Sequence, residues 1–285
     1  MRKQRHRKEI YRTVWESLKA VTMDYLTYAA IGLVMGLFGG LLGIGGSVVM
    51  IPAMMIFFKP NQHLYQAAAM ICNFFVAFSA CLVHKKAKVL IIDVVKWLIP
   101  AGVVGILTGV WLSNISFFAG DNSRNLTKVF GFFMIYVAIY NGFKFGKHDG
   151  GKDGLDISGT RKSKSLTLFS GLVTGMSAGL LGMGGGTVCT PMQQLCLKMP
   201  LKRAISNSTA LIASMALIGA LYKNLTLGKH DLHISDSAQI AVVIIPTAML
   251  GAFLGGKLMH KLPKDIVRII FIALLIVAAF KMLTL

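Results

Sequence analysis

The residues best placed to do chemistry are two glycine clusters with adjoining hydroxyls. One is Gly43, Gly45, Gly46 and Ser47; the other is Gly182, Gly184, Gly185, Gly186 and Thr187. Each sits inside a long apolar block. Glycine costs about 1 kcal/mol against alanine in a helix interior, so each cluster predicts a helix break. Beyond a break a new helix starts. Its first N–H groups have no intrahelical acceptor and carry partial positive charge. Such an end can hold an anion. Ser47 and Thr187 add hydroxyl donors. Inside a bilayer an unwound backbone is tolerated only when packed in protein or lining a wet cavity. The chemistry expected is recognition of a small anion by neutral donors at Gly45, Gly46 and Ser47 and at Gly184, Gly185, Gly186 and Thr187.

The clusters belong to a repeat. Gly32 to Pro52 reads GLVMGLFGGLLGIGGSVVMIP, and Gly171 to Pro191 reads GLVTGMSAGLLGMGGGTVCTP. The copies align without a gap; Ser47 faces Gly186. Pro100, Gly105 and Gly109 recur as Pro246, Gly251 and Gly255, so the duplication extends beyond the motif. Repeats of this kind build transporters around broken helices. Gly32, Gly36 and Gly40, like Gly171, Gly175 and Gly179, are spaced by four. That is the small-residue pattern of close helix packing, and these glycines are assigned to packing.

Further polar residues lie in the apolar blocks. Asn73, Gln193, Asn207, Ser208 and Thr209 are candidates to supplement the anion site, and Arg203 is a candidate anion gate. All eleven acids fall in tails, loops or block edges. Cation transport and proton relays use intramembrane carboxylates, so their absence favours an anionic substrate. It also excludes a hydrolase built on paired carboxylates, and no HExxH or GxSxG occurs. No enzyme, cofactor or metal site is expected. Cys72, Cys81, Cys189 and Cys196 form no CxxC pair and read as small core residues.

These residues must be positioned by membrane helices. The chain has 285 residues, 55% hydrophobic and only 14% charged, with a mean hydropathy of +0.66. Tyr25 to Phe58 contains no Asp, Glu, Lys, Arg or His. A span needs about 20 apolar residues, so a polytopic all-α membrane protein is expected. The net charge of +19 sits in tails and loops. It reads as topology and contact with anionic lipid headgroups, not as nucleic-acid binding. Assembly as a homo-oligomer stays open.

The order along the chain follows. Residues 1–24 are a basic segment with apolar residues at helical spacing, expected to lie in the interface on the cytoplasmic side of the cell membrane. Residues 25–145 are the first membrane repeat. Residues 146–164 are a polar linker rich in Gly, Asp, Ser and Lys. Residues 165–285 are the second repeat. About eight membrane segments are expected, with a broken helix in each half: a helix over about 25–42, a break at 43–47 and a second piece to 58. The stretch 223–236 is expected to be a loop. Parallel and inverted repeats both remain open. An inverted one needs an odd number of crossings per half.

The stretches GLFGGLLGIGGSVVMIP and GMSAGLLGMGGGTVCTP, in blocks followed by a Pro-containing helix, resemble the sulfite exporter TauE/SafE family over roughly residues 25–285. The resemblance implies a secondary transporter moving sulfite, sulfoacetate or a related organosulfonate across the cytoplasmic membrane. The residues themselves reach only a small anion. An anion channel, or a membrane scaffold whose glycines only pack helices, is the alternative.

Overall fold

The computed structural model describes residues 23–87, 89–118, 123–143, 163–259 and 264–284. The basic segment, apart from its last two residues, and almost all of the linker lie outside them. The described residues form ten α-helices: α1 (Met23–Leu42), α2 (Ser47–Phe57), α3 (Gln62–Lys86), α4 (Ile92–Ser113), α5 (Ser123–Phe143), α6 (Lys164–Leu181), α7 (Gly186–Cys196), α8 (Leu201–Leu225), α9 (Ile234–Leu258) and α10 (Lys264–Thr284). Among the described residues there is no strand. Five helices, α1, α3, α4, α8 and α9, are long and apolar enough to cross a membrane. The breaks fall where the glycines placed them, and each divides one apolar block into two helices.

The four-spaced glycines draw helix backbones together. Gly36 of α1 faces the Ala248 carbonyl of α9, and Gly40 faces that of Ala252. Gly251 and Gly255 of α9 face the carbonyls of Leu33 and Leu37 in return. The second pair repeats this. Gly171, Gly175 and Gly179 of α6 lie on the carbonyls of Leu98, Gly102 and Ile106 in α4, while Gly105 and Gly109 lie on those of Leu172 and Met176. With no hydrophobic drive between helices in lipid, such close approach supplies the packing energy. Each motif helix therefore grips the proline-bearing helix of the other half, so the halves are interlocked. Gly36→Leu and Gly175→Leu are expected to destroy most of the monodisperse protein seen by size exclusion. Gly142→Leu should not, since nothing lies within 4 Å of a Cβ there.

Helix directions follow from the contacts. Tyr28 near the start of α1 stacks on Phe58 after α2, with ring centroids 4.6 Å apart. So α1 and α2 are antiparallel, a hairpin with its tip at Gly43–Gly46. The same end gathers the starts of α1 and α3 and the ends of α4 and α8, because His63 bonds the Phe118 carbonyl and Lys223 reaches His63 and Ser113. The opposite end gathers the end of α3 and the starts of α4, α6 and α8. There Asn207 accepts from the Ile91 N–H, and Val94, Leu166, Leu197 and Ala204 cluster. Hence α1 and α6 start at opposite ends. The basic stretch 84–96 and the start of α6 share an end, but the start of α1 does not. The opposite starts bear on the hand of the repeat, which the sequence leaves open.

One loop boundary is corrected. Lys223 is not in a loop but in the last turn of α8, fully buried. The apolar run ends at Tyr222, yet three side-chain oxygen and nitrogen partners keep the helix and its ammonium inside.

Candidate functional site

Both breaks are tight turns built on left-handed glycines. Gly43, Gly45 and Gly46 have φ of 64°, 85° and 83°; Gly182, Gly184 and Gly185 have 74°, 68° and 83°. Only glycine adopts that region without a penalty from its own side chain. Gly43 and Gly182 each close the preceding helix, donating to the carbonyls of Gly39 (2.9 Å) and Ala178 (2.8 Å). Gly46 and Gly185 open α2 and α7, and neither helix start has a side-chain cap. The first intrahelical bonds are those of Val49 to Gly46 and Val188 to Gly185. The N–H groups of Ser47 and Val48, and of Gly186 and Thr187, thus belong to helix starts that have no acceptor within their own helix.

The two turns meet. A Cβ placed on Gly45 would lie 3.3 Å from the Gly184 Cα, and one on Gly184 would lie 3.1 Å from the Ile44 carbonyl oxygen. Asn73 stands between them. Its Nδ2 donates to Ser47 Oγ at 2.9 Å and to the Gly182 carbonyl at 3.4 Å, so one amide ties both turns. Asn73 is residue twelve of the 25 in α3, which puts the junction at mid-length of a spanning helix. Ser208 Oγ on α8 donates to the Gly43 carbonyl at 3.0 Å. Every residue from Gly43 to Ser47 and from Gly182 to Thr187 is buried. Several buried acceptors nearby have no partner: Asn73 Oδ1, Gln66 Oε1 and the hydroxyls of Thr187 and Thr190. The junction thus combines two helix N-termini, unpaired hydroxyls and an amide, without a carboxylate.

The remaining sequence candidates divide. Thr209 lies beside Gly43 but bonds back to the Ile205 carbonyl. Gln193 and Asn207 bond each other at 3.2 Å, and their other contacts go to Cys189, Ala204, Met199 and Ile91. They brace the α6 end of the protein and are not part of the junction. Arg203 donates to the Val89 carbonyl at that same end, away from the turns. Gln66 was not singled out from the sequence, yet it donates to the carbonyls of Gly179 and Leu180, both at 2.9 Å. Its spacing of seven from Asn73, two helical turns on one face, is the signal that marks it.

The family model described as Sulfite exporter TauE/SafE matches residues 28–282. The chain belongs to the sulfite exporter TauE/SafE family. It is 28% identical over 289 residues to the probable membrane transporter protein MamO of Magnetospirillum gryphiswaldense, covering 92% of this chain and 45% of that one. The chain thus spans less than half the length of that relative. It is 24% identical to the probable membrane transporter protein YunE of Bacillus subtilis, covering 90% of this chain and 96% of that one. It is 29% identical to the probable membrane transporter protein MJ0441 of Methanocaldococcus jannaschii, covering 89% and 93%. No solved structure matches. TauE/SafE membership and several apolar helices identify a multi-pass membrane protein of a transporter family.

Proposed function

We propose that this TauE/SafE protein is a secondary transporter of a small sulfur oxyanion, either sulfite or an organosulfonate such as sulfoacetate, with the turn junction as its binding site. The observation that carries this is the meeting of two uncapped helix starts around Asn73 at mid-length of α3. Two positive helix ends aimed at one point suit a compact oxyanion. The family's description supplies the sulfur chemistry. Gly45, Gly46 and Ser47 would hold the anion from one half, and Gly184, Gly185, Gly186 and Thr187 from the other. Asn73 and Ser208 would orient it.

The halves are read as an inverted repeat of five helices each, supported by the opposite starts of α1 and α6. Each hairpin starts and ends on one side and so leaves the count odd, the three remaining helices of each half supplying the crossings. Burial of both turns describes an occluded junction, so access requires the hairpins to move against α3 and α8. That favours alternating access over an open channel. We place the end bearing Lys85, Lys86, Lys164, Lys198, Lys202 and Arg203 in the cytoplasm, following the excess of basic loops. Met23 then starts α1 on the outer side of the cell membrane.

Proteoliposome uptake of labelled sulfite, sulfoacetate and taurine tests the substrate. Saturable uptake with counterflow is expected for sulfite or sulfoacetate. No uptake of any sulfur anion removes the substrate assignment, and non-saturating flux without counterflow converts the reading to a channel. In the same vesicles, cysteine labelling at Lys164 and at Gly228 reports the two ends separately and checks the sidedness.

A further inference from the structure

A second polar site lies at the other functional address of the molecule, the end where α3 starts and α8 ends. A cavity of about 330 Å³ opens there, with Gln62, His63, Arg124, Lys229, His230 and Asp231 on its wall. Behind His63 the ammonium of Lys223 is fully buried. Its partners are His63 Nδ1 (2.9 Å), Ser113 Oγ (3.0 Å) and Asn114 Oδ1 (3.2 Å). None of these carries negative charge. A carbonyl oxygen only accepts, so the bond from His63 Nε2 to the Phe118 carbonyl (2.8 Å) puts the proton on Nε2. Nδ1 then accepts from Lys223, and the imidazole is neutral. A buried ammonium held only by neutral groups is costly, and an anion nearby relieves that cost.

The wall of the cavity supplies an independent sign of a ligand. Gln62 is only 3% exposed, yet neither its Nε2 nor its Oε1 has a partner. His230 stacks on His63 with centroids 3.7 Å apart and fixes its Nε2 on Asn114 Oδ1 at 2.9 Å, while its buried Nδ1 is unpartnered. His230 lies in the turn beyond α8, outside the spans. Burial, and then the charges of Lys223 and Lys229, push its pKa down to about 4 against a smaller opposing effect of Asp231. The surroundings of the pocket are thus net positive even with that one acid.

We propose that this cavity is a second anion-binding site, distinct from the junction, that takes a compact oxyanion against Gln62 and Lys229 with Lys223 as buried countercharge. The oxyanion is either a free anion of the sulfite type or the phosphate of a lipid headgroup reaching the same end of the helices.

The test uses the full chain purified in neutral detergent, with labelled sulfite as the probe and a lipid arm. Asn73→Asp removes anion binding at the junction and leaves the cavity untouched, so this variant is expected to retain one class of sulfite site. Adding Gln62→Leu or Lys223→Met to it should weaken that residual binding at least tenfold. If Lys223→Met does not give monodisperse protein, the exposed substitution Lys229→Gln carries the same expectation. Residual binding unchanged by Gln62→Leu and Lys229→Gln overturns the proposal, as does an Asn73→Asp protein that binds no sulfite. Failure of the junction reading is seen separately, as sulfite uptake into vesicles that Asn73→Asp does not reduce. Phosphatidylglycerol added to the micelles distinguishes the sources. Displacement of the residual sulfite assigns the site to a headgroup phosphate, and its persistence assigns it to the free anion.

Discussion

Asn73→Asp is expected to abolish sulfite uptake while leaving a folded, inserted protein. The substitution keeps the shape of the side chain and exchanges one donor for an anionic oxygen. Ser47 Oγ, which now accepts from Asn73, carries its own proton and can donate to the new carboxylate. The contact to the Gly182 carbonyl is lost, at a cost of about 1 kcal/mol for one neutral hydrogen bond, and burial of the new charge adds a desolvation cost that the two positive helix starts offset in part. The effect on a bound anion is far larger. Two unit charges about 4 Å apart repel by about 4 kcal/mol at an effective dielectric of 20, which is close to a thousandfold in affinity. Uptake should fall at least a hundredfold and recover in part as the pH is lowered, because protonation removes the charge. Monodispersity and thermal stability serve as controls. A scaffold whose glycines only pack helices has no reason to respond to the sign of the charge. Full uptake by this variant therefore removes the anion site from the junction.

The hairpins were legible in the sequence because glycine has a single strong local meaning at each of these positions. The density of Gly43, Gly45 and Gly46 exceeds what helix packing needs, and the same positions are left-handed in the structure. The four-spaced glycines were legible for the complementary reason, a one-faced stripe, though not the identity of their partners. Nothing local tells α1 that it packs on α9 and not on α4. That choice depends on the opposite directions of the halves, which is a property of the whole chain. The partners of the polar residues are less legible. Gln193 and Asn207 were grouped with Asn73 because an amide in hydrocarbon needs a partner. They satisfy that need with each other, about one end of the protein, and the composition of the helix carries no information on which amide finds which partner. Lys223 was hidden by the hydropathy boundary at Tyr222, since a basic residue after an apolar run ordinarily marks the water interface. Its burial requires Ser113, Asn114 and His63 to converge from two other helices.

Gly186→Ser is the second large effect, and it turns on a position in the turns where one copy has glycine and the other serine. It gives the second turn the serine that the first has at Ser47. By sequence alone this is a mild change. In the structure a Cβ on Gly186 would overlap the Gly43 carbonyl oxygen and lie 2.6 Å from the Ile44 Cα. These are backbone atoms of the opposing turn, so no side chain can rotate away. The turns must separate, Ser208 must release the Gly43 carbonyl, and the two helix starts no longer face one point. Overpacking of this kind costs about 3 kcal/mol, roughly a hundredfold in the population of the closed junction. Transport should be lost together with a clear fall in thermal stability. The reverse change, Ser47→Gly, removes only the acceptor of the Asn73 bond, for about 1 kcal/mol, and should leave the fold intact with reduced uptake. Equal effects of the two substitutions on stability would contradict the contact between the turns. The difference between the copies therefore follows from their meeting: where two turns touch backbone to backbone, only one of them has room for a side chain, and the other must remain glycine.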